Sequence, residues 1–347
     1  MFLVYTRTRG EMPTIKDVAE RAGVGIATVS RTLHNSSRLR PETAARVRQA
    51  MEELGYRPNT HAQSLASGRS HMLGLVVSDI SNPFFPGLIK GFEEAAVENG
   101  YDVFAASTNY DPARTVLCVH RMIERKLDGV AIMTSEIDPG LTDSFARHKV
   151  PLVFLDVGKV GRGVSNVKID YARGIAQAIQ HLRELGHRRI AFISGPANLR
   201  SAWERREAFL DRLSQYRDGQ PDELLIEEAN HKADGGQQAM LRLLERHSHP
   251  TAVLTSNDLT AIGALRGIRQ FGLGVPEDVS VVGFDDIQMA EYTEPPLTTV
   301  RLQQSEVASL ACHALLQLIR TPGMGSQLGV GTSLVIRAST AQARPSA

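Results

Sequence analysis

Residues 14–31 constrain the fold of this chain most, because they predict two short helices separated by one tight turn. The first helix places apolar side chains on one face at helical spacing, namely Ile15, Val18, Ala19 and Ala22. Thr14, followed three residues later by Asp17, is an N-cap pair. Gly23 is expected to end the helix, because glycine adopts a left-handed backbone at little cost.

The second helix is predicted over about residues 26–34, with Val29 and Leu33 turned inward. The outward face then carries Thr28, Ser30 and Arg31. A helix, a turn with glycine and a second helix that displays small polar residues and an arginine are typical of a helix-turn-helix. Such a unit places its second helix in the major groove of DNA.

Six short motifs in this region resemble the DNA-binding headpiece of the LacI/GalR family of bacterial transcriptional regulators. They are IKDVA at 15–19, GV at 23–24, TVSR at 28–31, LGY at 54–56, PN at 58–59 and AQSLA at 62–66. The match extends over about fifty residues and includes a hinge. It is therefore more specific than a lone helix-turn-helix. The alternative, an amphipathic pair of helices that merely packs, does not explain the hinge.

The resemblance implies DNA contacts from two segments. In the headpiece, 13–58, the implied contacts are Thr14, Ile26, Ala27, Thr28, Ser30 and Arg31. In the hinge and linker, 59–70, they are Asn59, Ala62 and Leu65. Leu65 would enter the minor groove, where an apolar wedge unstacks a base step and bends the duplex. A plain linker leucine is the alternative.

Two helix starts depart from the family pattern. Arg40 occupies the cap position before a third helix predicted over residues 41–54, where the family usually has a small polar residue. Gly25 occupies the cap position of the second helix, where the family usually has serine. Glycine costs only a few tenths of a kcal/mol at such a cap, so Gly25 is expected to be tolerated.

The net charge of +1 hides an asymmetry along the 347 residues. Residues 1–70 contain eleven Lys and Arg against six Asp and Glu, or +5, and the remainder contains 28 against 32, or −4. A basic head on a mildly acidic body indicates that nucleic-acid binding is confined to one end. Hydrophobic content of 42% and charged content of 22% are ordinary for a soluble globular protein.

Several features point to a cytoplasmic protein with no cofactor and no metal. Cys118 and Cys312 lack metal-ligand spacing and are expected to be buried, reduced thiols. The apolar run at the start is too short for a signal peptide, and no window reaches transmembrane length. Residues 1–12 are expected to be a disordered extension and 341–347 a tail without apolar heptads, which favours a dimer over a larger assembly.

From residue 71 to 340, short apolar runs alternate with amphipathic helices, and the cadence occurs twice. Buried strands that alternate with helices predict doubly wound parallel α/β sheets, here in two similar lobes. This resembles the periplasmic-binding-protein-like effector domain of the same family. The expected bounds are about 71–169 with 299–325 for lobe 1, and about 170–298 with 326–340 for lobe 2. The segment 297–300 and the helix 305–320 are expected to return to lobe 1, and the segment 334–336 to lobe 2.

Ligands of open α/β sheets bind beyond the carboxyl ends of the strands, so the two lobes should share one cleft. The candidate ligand-binding residues there are Phe84, Phe85, Asp156, Trp203, Arg205, His231, Asn257 and Asp285. By the family's order, Arg205 and Asp285 match its ligand-clasping pair and Asn257 matches a hydroxyl contact. His231 stands where many members place a stacking aromatic, which puts that role in doubt.

Each candidate has a structural alternative. Asn257 or Asp258 would cap the following helix, Phe84 or Phe85 could be simple core, and Asp156 could close a turn. Taken together, carboxylates, an amide, an arginine and aromatic rings favour a small hydroxyl-rich ligand, a sugar or derivative. A nucleoside-like ligand is the second choice, and Arg200 leaves an anionic ligand open.

The sequence thus predicts a dimeric repressor that binds pseudo-palindromic operator DNA under the control of a small effector. A plain solute-binding protein would need a signal peptide and no helix-turn-helix, and the chain shows the reverse. A phosphate-binding glycine loop, a nucleophile elbow or metal-ligand spacing would indicate an enzyme, and the sequence contains none of these motifs. Control by a protein corepressor stays open.

Overall fold

The computed structural model describes residues 13–33, 39–57, 68–134, 150–156, 158–216, 225–246 and 249–344. The chain divides into two compact units, residues 1–70 and 71–347. Several predictions fall outside the described residues: the extension 1–12, the hinge contacts Asn59, Ala62 and Leu65, and the helix that the amphipathic stretch 139–148 predicts.

The first unit contains three helices, as its apolar spacing predicts. They are α1 (Ile15–Ala22), α2 (Ile26–Leu33) and α3 (Pro41–Leu54). Their inner faces meet in a small core that buries Val18, Ala19, Ala22, Val29, Val47 and Ala50. The core is formed by β-branched and small side chains, so the three short helices depend on one another for burial.

The ends of these helices follow from local chemistry. The backbone N–H of Thr14 donates to Asp17 Oδ2 at 2.7 Å, and the Thr14 hydroxyl donates to the same atom at 2.9 Å. Gly23 has a φ of +63°, the left-handed conformation that closes α1. Arg40 precedes α3 without a side-chain cap, which leaves the first N–H groups of this helix without that partner.

The first lobe of the second unit is built on a parallel sheet in the order β11-β5-β4-β3-β1-β2. Its strands are β1 (Met72–Val77), β2 (Asp102–Ser107), β3 (Gly129–Met133), β4 (Leu152–Leu155), β5 (Val164–Asp170) and β11 (Gln327–Gly331). The helices that pack on it are α4 (Phe84–Glu98), α5 (Pro112–Glu124) and α10 (Gln304–Arg320). β1, β3 and most of β4 are buried, as their continuous apolar runs predict.

The second lobe repeats this architecture in the order β12-β10-β9-β8-β6-β7. The strands are β6 (Ile190–Ser194), β7 (Ile226–Glu228), β8 (Ala252–Thr255), β9 (Ser280–Asp285), β10 (Thr298–Arg301) and β12 (Ser333–Val335). The helices are α6 (Tyr171–Glu184), α7 (Arg200–Ser214), α8 (Ala233–Leu244) and α9 (Asp258–Gln270). All pairings are parallel except that of β12 with β10.

The chain passes between the lobes three times. It crosses from β5 to α6, from β10 to α10, and from β11 to β12. The expectation that 297–300 returns to lobe 1 is wrong for the strand, because β10 pairs with β9 in the second sheet. Conversely, β11 pairs with β5 in the first sheet, within the segment 326–340 that was expected in lobe 2.

Helices α8 and α9 approach each other through glycines. A Cβ on Gly263 would lie 1.9 Å from the backbone oxygen of Ala233, and a Cβ on Gly236 would lie 2.2 Å from that of Thr260. Backbone atoms on both sides leave no flexible group that could move aside. The second lobe therefore needs glycine at both positions.

The Gly263→Ala variant should accordingly lose stability, because the added methyl group forces the two helices apart. Overpacking of this kind costs about 1–3 kcal/mol. Gly329→Ala in β11 is the matched control, since a Cβ there meets nothing within 4 Å. Thermal unfolding should show a lower midpoint for Gly263→Ala alone, and equal midpoints for the two variants would contradict the packing described.

Candidate functional site

Helix α2 exposes the face that the sequence predicts. Ile26, Ala27 and Arg31 are exposed, with Ile26 at 45%, and Thr28 and Ser30 are half-buried. On the opposite side Val29 is fully buried in the headpiece core. The five outward residues thus lie on a helix held by that core.

Thr14 lies at the start of α1, where its hydroxyl donates to Asp17. Its side chain is exposed, so its oxygen can still accept a further hydrogen bond. The structure therefore shows a capping role for Thr14, and its DNA contact stays a prediction.

A cavity lies between the lobes at the carboxyl ends of their strands, where the sequence predicts the ligand site. The first lobe and the crossovers contribute Ser78, Asn82, Phe84, Phe85, Tyr110, Ile169 and Leu302, and the second lobe contributes Tyr171, Ser201, Arg205, His231, Asn257 and Asp285. Six of the eight candidate ligand residues are among them.

Arg205 is one of the two buried charged groups in the described lining of this cavity. It lies on α7 and is 7% exposed. Its guanidinium lies 4.1 Å from the centre of the Phe284 ring and 5.0 Å from that of Tyr171. Nη1 donates to the backbone oxygen of Ser256, and Nη2 donates to Asp285 Oδ1 at 3.2 Å. Nε is buried and has no hydrogen-bond partner among the described residues.

Asp285 reaches Arg205 from the end of β9. Its backbone has a φ of +108°, and that of Asp286 has a φ of +55°. Burial raises the pKa of Asp285 to about 6, although the charge and hydrogen bond of Arg205 oppose this shift. A carboxylate held by one arginine in a buried site can accept hydrogen bonds from ligand hydroxyls.

His231 is a structural link within the second lobe. Its Nε2 lies 2.8 Å from Ser256 Oγ, and its ring packs against Gly195, where a Cβ would lie 1.8 Å from Nε2. Burial, together with the positive charge of Arg205, lowers the pKa of His231 to about 3. The imidazole is therefore neutral at pH 7, and it presents an edge to the cavity.

Asn257 caps the start of α9, which is the structural alternative to a ligand contact that the sequence left open. Its Oδ1 accepts from the backbone N–H of Thr260 at 2.9 Å, and its Nδ2 donates to the backbone oxygen of His231 at 3.1 Å. The neighbouring Asp258 accepts from Thr299 Oγ1 and from the Ile287 N–H. One amide hydrogen of Asn257 is left for a ligand.

Phe84 and Phe85 begin α4 on the opposite wall of the cavity. Their rings meet edge to face with centres 5.4 Å apart, and they are 6% and 8% exposed. Asn82 Oδ1 accepts from the backbone N–H of Phe84 at 3.1 Å and so fixes the start of the helix. The two rings are part of the core and also form an apolar surface against which a sugar ring can pack.

Two candidate ligand residues do not line the cavity. Trp203 lies on α7 at 45% exposure, with the Arg200 guanidinium 5.1 Å from its ring centre. Asp156 bonds to the backbone N–H of Ile169 at 2.8 Å and to the hydroxyl of Tyr171 at 2.6 Å. Asp156 therefore reaches the cavity only through two of its lining residues, Ile169 and Tyr171.

Tyr171 is a site residue that sequence reasoning missed. It is 4% exposed, lines the cavity and supports one face of the Arg205 guanidinium. Burial, together with the charge of Asp156, raises its pKa well above the usual value, so its hydroxyl keeps its proton. The apolar alternation of 164–169 directly before it would have indicated a strand end at this position.

The buried His231 predicts a pH dependence of stability. The unfolded side chain takes up a proton below a pKa of about 6.5, and the folded one does not until a pKa of about 3. The free energy of unfolding therefore falls as the pH decreases from 6.5 towards 3, by about 1.4 kcal/mol per pH unit. Between pH 6.5 and 5 the contribution amounts to about 2 kcal/mol.

The His231→Asn variant should lose this part of the slope, since asparagine does not titrate and tolerates the φ of +61°. Asp285 acts in the opposite direction but is present in both proteins. Urea unfolding at pH 6.5 and pH 5 measures the difference. His120→Asn, at an exposed position, should keep the parental slope. A parental slope in His231→Asn as well would contradict the burial of a neutral imidazole.

The described residues contain no group of three or more His, Cys, Asp and Glu side chains placed to hold a metal ion. In the same part of the chain, no helix is both long and apolar enough to cross a membrane. Cys312 is buried, and Cys118 is half-buried rather than buried as expected.

Comparison with known proteins connects both units to one family. Residues 14–59 match "Bacterial regulatory proteins, lacI family", and residues 179–340 match "Periplasmic binding protein-like domain". The HTH-type transcriptional regulator DegA of Bacillus subtilis (strain 168) is 37% identical over 291 residues, which cover 83% of this chain and 86% of DegA.

Two solved structures extend the likeness to the fold. The Lac repressor dimer bound to operator and the anti-inducer ONPF is 29% identical, with a TM-score of 0.85 over 95% of this chain and 100% of that one. The transcriptional regulator CelR in complex with cellobiose is 33% identical, with a TM-score of 0.70 over 94% and 99% of the two chains. By its sequence and fold, this chain belongs to the LacI family of bacterial transcriptional regulators, which are not enzymes.

Proposed function

We propose that this chain is a dimeric transcriptional repressor whose affinity for operator DNA is switched by a small hydroxyl-rich ligand, a sugar or derivative, in the interlobe cavity. The observation that carries the proposal is the buried Arg205–Asp285 pair, which lines the same cavity as the Phe84 and Phe85 rings of the other lobe. The likeness to an operator-bound dimer and to a cellobiose complex supports the proposal.

The cavity supplies what such a ligand needs. Arg205 offers a donor, Asp285 offers acceptors, and Asn257 offers a remaining amide hydrogen, while Phe84 and Phe85 offer an apolar surface. The neutral His231 adds no charge. Apart from the paired Arg205 and Asp285, the described lining residues include no ionic side chain. This balance favours an uncharged polyhydroxylated ligand over a strongly anionic one.

A thermal-shift screen of neutral sugars and nucleosides tests the ligand class. A ligand that binds the native state raises the unfolding midpoint by mass action. At least one neutral sugar should raise it in the parent protein. A response to nucleosides alone would contradict the sugar assignment.

On DNA, we infer that α2 enters the major groove, with Arg31 reaching a base edge. Thr28 and Ser30 contact phosphates or bases, and Ile26 and Ala27 set base preference through apolar contact. Thr14 contacts the DNA backbone, while Asn59, Ala62 and Leu65 contact the DNA from the hinge. The exposure of Ile26, Ala27 and Arg31 on one face of a core-supported helix supports this docking.

The Arg31→Ala variant should weaken operator binding and reduce base preference at one symmetric position of the operator. A bidentate arginine–guanine contact contributes about 1–3 kcal/mol of discrimination. Binding selection from randomised DNA measures it. Arg48→Ala removes the same charge from the exposed side of α3 and should leave the selected sequence unchanged. Full specificity in Arg31→Ala would contradict the docking.

The Arg205→Ala variant should separate the two functions. It leaves Asp285 without its ionic partner and removes a donor from the cavity, so affinity for the sugar identified by the screen should fall several-fold or more. The headpiece is unchanged, so operator affinity without the sugar should equal that of the parent. Operator titrations at one fixed salt concentration, with and without that sugar, measure both.

Arg266→Ala, which removes an exposed arginine of α9 in the same lobe, should respond to the sugar as the parent does. A parental response in Arg205→Ala would contradict the cavity assignment. Loss of operator binding without the sugar would show that Arg205 is needed for folding instead.

A further inference from the structure

A group of polar contacts joins the two lobes beside the cavity, next to the first crossover. Asp156 follows β4 in the first lobe, and Tyr171 begins α6 in the second lobe. The Tyr171 hydroxyl donates to Asp156 Oδ2 at 2.6 Å, while Asp156 Oδ1 accepts from the Ile169 N–H at 2.8 Å. The carboxylate thus bonds to both sides of the point where the chain changes lobes.

An ion pair spans the same junction. Lys168 lies on β5 of the first sheet, and its Nζ is 2.5 Å from Glu204 Oε2 on α7 of the second lobe. The same Nζ is 3.7 Å from Asp156 Oδ1. One lysine therefore connects an acid of its own lobe with an acid of the other.

These contacts are more shielded than ordinary surface pairs. The side chains of Asp156, Glu204 and Lys168 are 5%, 13% and 35% exposed. Exposed ion pairs contribute little because water screens them, and partial burial reduces that screening. Arg200 also donates to Glu204, at 2.7 Å, but it lies on the same helix and joins nothing across the lobes.

The contacts lead directly to the ligand site. The ring of Tyr171 lies under the Arg205 guanidinium at 5.0 Å, and Glu204 directly precedes Arg205 on α7. Any rotation of the lobes that separates Lys168 from Glu204 also moves Arg205 away from the first lobe. The angle between the lobes and the position of Arg205 are therefore set together.

We propose that Asp156, Lys168, Tyr171 and Glu204, here called the interlobe brace, are positioning residues of the effector site that hold the two lobes in this arrangement before any effector binds. Three of the four side chains do not line the cavity, so the brace acts through lobe geometry rather than through contact with an effector. The role given to the cavity rests on the proposed function, whereas the restraint on the lobes does not.

The experiment measures the distance between the lobes in the full chain without any effector. Spin labels are attached through Glu124→Cys on α5 and Gln238→Cys on α8, both at exposed positions, in a Cys118→Ser background. Double electron–electron resonance then gives the interlobe distance distribution, with labelled chains diluted in unlabelled protein. Lys168→Met and Tyr171→Phe should each shift and broaden this distribution.

Two control variants separate the brace from a general loss of order. Lys168→Arg keeps the positive charge and should restore the parental distribution. Glu227→Gln breaks ion pairs with Arg242 and Arg246 that lie within the second lobe, and it should leave the interlobe distance unchanged. Circular dichroism verifies that each variant is folded.

Parental distributions in both Lys168→Met and Tyr171→Phe would overturn the proposal, as would an equal change in Glu227→Gln. Because no effector and no operator take part, a failure of the proposed function does not affect this outcome. Conversely, an unaltered lobe distance in the brace variants would leave the cavity assignment of Arg205 and Asp285 intact.

Discussion

The burial of the Arg205 guanidinium is the constraint on which the second unit, residues 71–347, depends. A charge removed from water must recover its lost hydration from fixed partners. Here those partners are Asp285 at the end of β9, the backbone of Ser256 after β8, and the rings of Phe284 and Tyr171. Two strands and a crossover must therefore end at the same place, and their ends form one wall of the cavity.

Burying an ion pair seldom adds net stability over a well-packed apolar cluster. The arrangement around Arg205 includes a raised pKa for Asp285, two adjacent residues with positive φ and an unpartnered Nε. Each of these features costs stability in the folded chain. Together they show that the residues around Arg205 are not arranged for maximal stability of the fold.

The sequence predicted most of the fold, because burial in parallel sheets leaves continuous apolar runs. The helix Phe84–Glu98 and the strands Gly129–Met133 and Leu152–Leu155 lie within the stretch where alternating apolar runs and amphipathic helices are predicted. The placement of β10 and β11 could not be predicted in this way, since apolar periodicity identifies a strand and not its neighbour in the sheet. Short strands such as these take their position from pairing with β9 and β5, which are distant contacts.

The candidate site, too, could be predicted only in part from local sequence patterns. Six candidates line the cavity because strand ends converge there. Asp156, which also follows a strand, and Trp203, which lies on the same helix as Arg205, do not line it. Tyr171 was missed because β5 was not recognised, so nothing marked its position as a strand end. Local patterns indicate where a strand ends, whereas the direction of a side chain depends on partners such as the Asp156–Tyr171 hydrogen bond.

Under the proposed function, ligand binding in the cavity and operator binding by the headpiece are two coupled equilibria. Thermodynamic reciprocity provides the test of this coupling. Sugar affinity is measured by titration calorimetry with and without operator DNA, and operator affinity is measured with and without the same sugar, at one salt concentration. Operator should change the affinity for sugar by the same factor by which sugar changes the affinity for operator. For such coupling this factor corresponds to about 1–3 kcal/mol. A sugar that binds the full chain with the same affinity whether or not operator is present would contradict it.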